Sequence, residues 1–315
     1  MNEPRPGLSA IVPVYHSEQS LGVLIETLTV VLSKLGKPYE VILVNDGSTD
    51  GSWAVIERLA GEHPAVRGFN LMRNYGQHSA LLCGVRAARY DTIVTLDDDL
   101  QNPPGEIPGL LAKLDEGYDV VYGTAKQMGN GMWRAAAGWV TRRALQRVMG
   151  AETARHVSAF RVFRTRLRVG FAHFSSPAVS IDVLLSWSTN RFSYKMVPFD
   201  ERKYGSSNYT LRKLVNHAFD MMTGFSTLPL TVASYIGFFF ATAGLALLVF
   251  VVATYLRAGG AVPGFSFLAC TIVIFSGAQL FALGMIGQYL ARMHWRSMDK
   301  PPYVVAQATA EEACP

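Results

Sequence analysis

Cysteine is scarce in this sequence. Cys83, Cys270 and Cys314 are the only three in 315 residues. They are too few and too scattered for a disulfide framework or a zinc site, so the soluble part is expected in a reducing compartment, each thiol serving as a small apolar filler. An apolar run is missing from the start: Met1 to Gly7 holds Pro4, Arg5 and Pro6 and does not resemble a signal peptide. Charge is missing over two long stretches, from Asp220 to Arg257 and again from Arg257 to Arg292. Each gap exceeds the roughly 20 residues needed to cross hydrocarbon. Acidic residues are in deficit, with 29 Lys and Arg against 24 Asp and Glu, for a net charge of +5. The basic residues are not interleaved with a stacking or groove-reading motif, which excludes nucleic acid as the expected partner and favours an anionic lipid surface.

What is present divides the chain in two. The mean hydropathy of +0.18 is high for a soluble enzyme, and the apolar excess sits mainly after residue 228. Two transmembrane helices are expected near 230–256 and 265–291, joined by a turn containing Gly259, Gly260, Pro263 and Gly264. Two buried helices of a soluble core are the alternative, but soluble helices of this length show a charged face. Arg202, Lys203, Arg212 and Lys213 precede the pair and Arg292, Arg296 and Lys300 follow it, against Arg257 alone in the turn. The positive-inside bias then places the preceding domain and both termini in the cytoplasm, on the inner face of a plasma membrane. Residues 209–228 carry Leu211, Leu214, Val215, Ala218, Phe219 and Met222 at helical spacing. They read either as a juxtamembrane helix lying in the interface or as an ordinary amphipathic helix packed on the domain. Residues 292–315 form a cytoplasmic tail, frayed from Gln307 onward.

The first 208 residues alternate apolar runs with helical patterns. Leu8 to Val14, Tyr39 to Val44, Val66 to Leu71, Thr92 to Leu96 and Val120 to Tyr122 read as buried strands. Ser20 to Leu35, Ser52 to Glu62, Gln77 to Arg89 and Glu106 to Glu116 read as the helices between them. This order predicts an α/β domain with a mainly parallel sheet covered on both faces, and ligands at the carboxyl ends of its strands.

Two of those ends carry chemistry. Thr95-Leu96-Asp97-Asp98-Asp99-Leu100-Gln101 sets three carboxylates side by side. They repel one another, so such a cluster is expected where a cation compensates, and oxygen ligands suit Mg²⁺ or Mn²⁺. A solvated acidic turn before Asn102-Pro103-Pro104 is the plainer reading of that segment. Val44-Asn45-Asp46-Gly47-Ser48-Thr49-Asp50-Gly51-Ser52 offers a carboxylate that can accept from a base or ribose, or simply a turn whose Asp50 or Ser52 caps the next helix.

In combination the strand ends are more specific. Pro13-Val14-Tyr15, Asn45-Asp46-Gly47-Ser48-Thr49-Asp50, Arg73-Asn74-Tyr75-Gly76-Gln77 and the Asp triplet with Gln101 closely resemble, in order and spacing, the inverting family 2 glycosyltransferases of the GT-A (Rossmann-like) fold. Ser158-Ala159-Phe160-Arg161 resembles that family's Ser-Gly-Phe-Arg segment, and Arg202 with Gly205-Ser206-Ser207-Asn208-Tyr209 its Arg and Gly-Glu-Ser-Lys-Tyr segment. With the helical hairpin and the ending Ile286-Gly287-Gln288-Tyr289 to Lys300-Pro301-Pro302-Tyr303, the resemblance narrows to the polyprenyl-phosphate glycosyltransferases.

That resemblance implies a nucleotide-sugar donor linked to UDP or GDP, a polyprenyl phosphate acceptor and a divalent cation. It implies that Pro13, Tyr15, Asp46, Asp97 and Asp98 hold the nucleotide and that Asp97, Asp99 and Gln101 ligate the metal. Asp99, Arg134, Arg202 and Ser206 would serve the transfer itself, the last three facing the phosphates of donor and lipid. The sequence departs from the family at His16-Ser17, where Asn-Glu is usual, with Glu18 one place later; at Gly138 and Asn208, in place of Ser and Lys; and before Ser158, where an Asp is absent and His156 stands nearby. His156 is read as a hydrogen-bonded structural residue. The acceptor needs little help from a base, because a phosphate monoester is already largely dianionic at neutral pH. A processive polysaccharide synthase would need more membrane helices, and a non-catalytic scaffold or translocase would not need the intact Asp triplet. The sequence leaves the sugar and any homo-oligomer open.

Overall fold

The computed structural model describes residues 4–125, 156–176, 179–198, 228–258, 264–298 and 300–309. The four expected crossovers are there: β1 (Arg5–Val14), α1 (Leu21–Ser33), β2 (Tyr39–Asn45), α2 (Ser52–Glu62), β3 (Val66–Leu71), α3 (Gln77–Ala87), β4 (Tyr90–Thr95), α4 (Ile107–Asp115) and β5 (Val120–Ala125). Beyond them stand β6 (Arg161–Arg164), α5 (Ile181–Ser188), β7 (Phe192–Val197), the long helices α6 (Leu228–Ala258) and α7 (Phe265–Ser297), and β8 (Val305–Ala308).

The sheet runs in the order β7-β5-β6-β4-β1-β2-β3-β8. Its centre, β4-β1-β2-β3, is parallel, as is β5 with β7, while β6 runs antiparallel to β4 and β5, and β8 antiparallel to β3. Side chains alternate across each strand, so β1 feeds two cores. Ala10, Val12 and Val14 pack with Leu24, Ile25 and Leu28 of α1, and Ile11 packs with Leu81, Leu82 and Val85 of α3 on the other face. Both faces are covered, which explains why the central strands read as unbroken apolar runs.

The stretch expected to fray from Gln307 onward begins instead within a strand, and residues 310–315 lie outside the described residues. Val305–Ala308 pairs with β3, placing Phe69 opposite Ala308 and Asn70 opposite Gln307. Its exposed outer side and mild polarity hid a strand that only an edge position stabilises.

α6 and α7 form a separate compact unit, and the chain on either side of them belongs to the sheet domain. Both hold stretches long and apolar enough to cross a membrane, Leu230–Thr254 and Ile274–Ala291. Neither stretch is buried, and Tyr235, Phe238 and Leu280 are 72%, 70% and 68% exposed. The helices touch each other where Phe240 meets the Phe275 ring edge-on at 6.0 Å and where a Cβ on Gly244 would lie 2.6 Å from that ring. Apart from Leu228, the expected helix over 209–228 lies outside the described residues.

Candidate active site

Because β1, β2, β3 and β4 are parallel, the segments that follow them gather at one end of the sheet. Hydrogen bonds knit these segments into one surface. Asp46, at the end of β2, accepts from the Tyr75 amide at 2.7 Å through one oxygen and from the Gly76 amide at 2.9 Å through the other. Burial nevertheless pushes its carboxyl up to about 6, against the lowering effect of those two amides and of Arg73. Gly47 makes this approach fit: its φ is 65°, and a Cβ there would lie 2.4 Å from the Arg73 carbonyl carbon. Arg73 lies over the Tyr75 ring at 4.3 Å.

The β1 segment is held from both sides. Asp98 accepts from the Tyr15 amide at 3.1 Å and from the Ser17 hydroxyl. His16 has φ 56° and donates its amide to Ser48 Oγ at 3.0 Å, while its Nε2 meets Thr49 Oγ1 at 3.0 Å. The Tyr15 ring, 42% exposed, stacks on His16 at 4.1 Å and offers a flat apolar face to a ligand. Pro13 is buried near the end of β1. Glu18 is spent elsewhere, accepting from the Gly51 amide at 3.1 Å at the start of α2.

The Asp triplet does not point in one direction. Asp98 turns to the β1 segment, Asp97 accepts from Gln77 Nε2 at 2.6 Å, and Asp99 accepts from the Gln101 amide at 3.1 Å. Between them Leu100 has φ 60°, a left-handed backbone that costs a leucine about 1–2 kcal/mol. Such strain persists where the surroundings impose it, commonly at functional sites. Burial, then the charges of Asp99 and Asp98, pushes the Asp97 carboxyl up to about 7, with Arg161 opposing. Among the described residues, no three His, Cys, Asp or Glu side chains stand in a metal-holding group. The chemistry of the site still fits a dication: Asp97 and Asp99 crowd negative charge that a cation would relieve, and a diphosphate would supply the remaining oxygen ligands.

Sequence reasoning missed what lies under Asp97. Arg161 of β6 is fully buried, ion-paired with Asp182 of α5, and donates through Nε to Thr95 Oγ1 at 3.1 Å. Tyr122 OH adds a bond of 3.0 Å to Asp182, and Thr95 donates to the Ala159 carbonyl at 2.7 Å. Arg161 was visible in its motif, but Asp182 carries no local signal, since only the tertiary fold brings it there. Ser17 and Gln77 were likewise passed over, although each bonds one of the three aspartates. Arg134, Arg202 and Ser206 lie outside the described residues. His156 stacks on Tyr194 at 3.5 Å.

The family model described as Glycosyl transferase family 2 matches residues 9–168. Among solved structures, glucosyl-3-phosphoglycerate synthase from Mycobacterium tuberculosis, in complex with Mn²⁺ and UDP-glucose, is similar at 17% identity, covering 69% of this chain and 77% of that one with a TM-score of 0.51. The same enzyme in complex with phosphoglyceric acid is 18% identical over 69% of this chain and 78% of its own, with a TM-score of 0.50. Mannosyl-3-phosphoglycerate synthase from Rubrobacter xylanophilus gives 19% identity, coverage of 68% and 71%, and a TM-score of 0.48. The sheet domain therefore has the GT-A fold.

Proposed function

This chain belongs to glycosyl transferase family 2, and we propose that it transfers a sugar from a UDP- or GDP-linked donor to polyprenyl phosphate at a membrane surface, inverting the anomeric carbon. One observation carries this reading. A strand-end surface on which Asp97 lies close to the charges of Asp98 and Asp99 occurs in the same chain as two unburied apolar helices, and the chain returns from those helices to the sheet domain. A membrane acceptor accounts for both features, whereas the phosphoglycerate acceptor named for the structural neighbours accounts only for the first.

In this mechanism an oxygen of the acceptor phosphate attacks the anomeric carbon as the bond from that carbon to the donor diphosphate breaks, and the nucleoside diphosphate leaves with the electron pair. The acceptor is already anionic, so the protein's work is positioning and electrostatics. Asp46 and the exposed Tyr15 ring hold the nucleoside, and Pro13 and Asp98 keep the β1 segment in place. Mg²⁺ or Mn²⁺ at Asp97 and Asp99, with Gln101, would neutralise the charge growing on the leaving diphosphate. Arg134, Arg202 and Ser206 are assigned to the phosphates from the family resemblance. The catalytic domain would face the cytoplasm.

The test is transfer by the full chain in lipid nanodiscs, with UDP- and GDP-sugars, undecaprenyl phosphate or 3-phosphoglycerate as acceptor, and Mn²⁺ or EDTA. Sugar should appear in the organic phase only with lipid and metal, and Asp99→Asn should lower the rate by about 10²-fold or more while leaving the melting temperature near wild type. Product formed on 3-phosphoglycerate alone would overturn the acceptor, and a fully active Asp99→Asn the metal role.

A further inference from the structure

The residues that follow the long helices have no part in the reaction described above, yet they are built into the sheet beside the nucleoside pocket. The Met72 amide donates to the Val304 carbonyl at 2.9 Å, the Thr309 amide to the Gly68 carbonyl at 3.0 Å, and the Gly68 amide to Thr309 Oγ1 at 2.9 Å. Tyr303 is buried in the core against α3, and the Arg86 guanidinium lies over its ring at 5.7 Å while donating to the Phe174 carbonyl at 2.6 Å. This segment is anchored by both backbone and core.

Met72 directly precedes Arg73-Asn74-Tyr75-Gly76, whose last two amides hold Asp46. Met72, Arg73 and Asn74 are all exposed, so in this loop only Tyr75 packs against the core. Hydrogen bonds hold the exposed part at its two ends, from Val304 on one side and Asp46 on the other. A side-chain path runs in parallel. Gln307 Oε1 accepts from Asn70 Nδ2 at 3.4 Å, and Asn70 Oδ1 accepts from Asn45 Nδ2 at 2.8 Å. Asn45 Oδ1 then accepts from Ser48 Oγ at 2.5 Å, the hydroxyl that also receives the His16 amide. The path starts on β8 and ends at the β1 and β2 segments of the pocket.

We propose that residues 300–309 are a working part of the donor site: β8 positions the 73–76 loop, and Gln307 with Asn70 are positioning residues for the nucleoside pocket. The pocket is then complete only once the chain has returned from α6 and α7, which ties donor binding to formation of the helical pair. This rests on the reading of the site as a nucleoside diphosphate pocket.

The experiment compares the full chain in nanodiscs with a truncation after Tyr303, which keeps the buried ring but removes Val304 and β8, with Gln307→Ala and with Gln307→Glu, which keeps the acceptor oxygen. Two readouts are taken: binding of UDP and GDP with Mn²⁺, and hydrogen exchange of the Tyr75 and Gly76 amides without ligand. Truncation should weaken nucleotide binding roughly tenfold and speed exchange at those two amides while α1 and α4 keep their protection. Gln307→Ala should move both readouts in the same direction by a smaller amount, raising the donor KM more than it lowers kcat, and Gln307→Glu should restore them. Unchanged nucleotide affinity and unchanged exchange at Tyr75 and Gly76 in the truncated and Gln307→Ala proteins would overturn the proposal. A full chain that binds neither UDP nor GDP would instead sink the nucleotide-site reading, and exchange at the two amides would still decide whether β8 positions the loop.

Discussion

Asp46 shows how one residue can serve two purposes that conflict. Its two oxygens hold the amides of Tyr75 and Gly76, which organises the pocket, yet burial disfavours its charge and raises its pKa to about 6. An unfolded aspartate titrates near 3.8. Between those values the native state binds more protons than the unfolded chain, so this group's contribution to stability grows as pH falls through about 6 and levels off below the unfolded pKa. The ligand-free wild type should therefore gain stability relative to Asp46→Asn as pH is lowered from about 7 to about 5, read as the difference between their melting curves. Donor affinity should move the other way, because the added proton removes an acceptor from the amides that shape the pocket. Parallel pH dependence of melting in the two proteins would show that Asp46 does not titrate in this window.

At the scale of an element, the strand-to-helix segments are fixed by hydrogen bonds from backbone amides to side chains and by close backbone approach. Gly47 and Gly36 share nearly the same left-handed φ, 65° and 63°, but only at Gly47 would a Cβ meet backbone, 2.4 Å from the Arg73 carbonyl carbon. Gly36 has open space around it. Alanine at either site should cost about 1–2 kcal/mol in backbone strain. Gly47→Ala should cost more and should also raise the donor KM, because Arg73 and Asn74 must move away from the β2 segment. Melting temperatures and donor kinetics of the two variants separate strain from close approach; equal effects would mean the β2 and β3 segments do not depend on that contact. The outer elements obey different rules from the central strands. β6 carries Arg161, whose charge is tolerable only because Asp182 of α5 neutralises it inside the fold.

For the whole molecule, the decisive feature is the path of the chain, which leaves the sheet domain, forms α6 and α7, and re-enters the sheet as β8. A chain that starts and finishes in one domain must cross a bilayer an even number of times. In a background with Cys83, Cys270 and Cys314 replaced by alanine, a single cysteine at Gln19 should be modified by a membrane-impermeant maleimide only from the cytoplasmic side of sealed vesicles. A single cysteine at Gly260, between the two helices, should react only from the opposite side. Labelling of both from the same side would rule out a spanning hairpin.

The sequence by itself determined the first five strands and the helices between them as a mainly parallel sheet, the two long apolar helices, and the residue types at the strand ends, while the strand order came from the tertiary structure. Each depends on a period or spacing within a short stretch of chain, where burial on both faces of a sheet or a long uncharged apolar run writes directly into composition. Tertiary structure decided the rest: which oxygens of the Asp triplet face which neighbours, the pairing of Arg161 with Asp182, and the return of Val305–Ala308 to the sheet edge. Those contacts join residues far apart in the chain, and a buried charge or a polar edge strand looks like surface until its distant partner is in place.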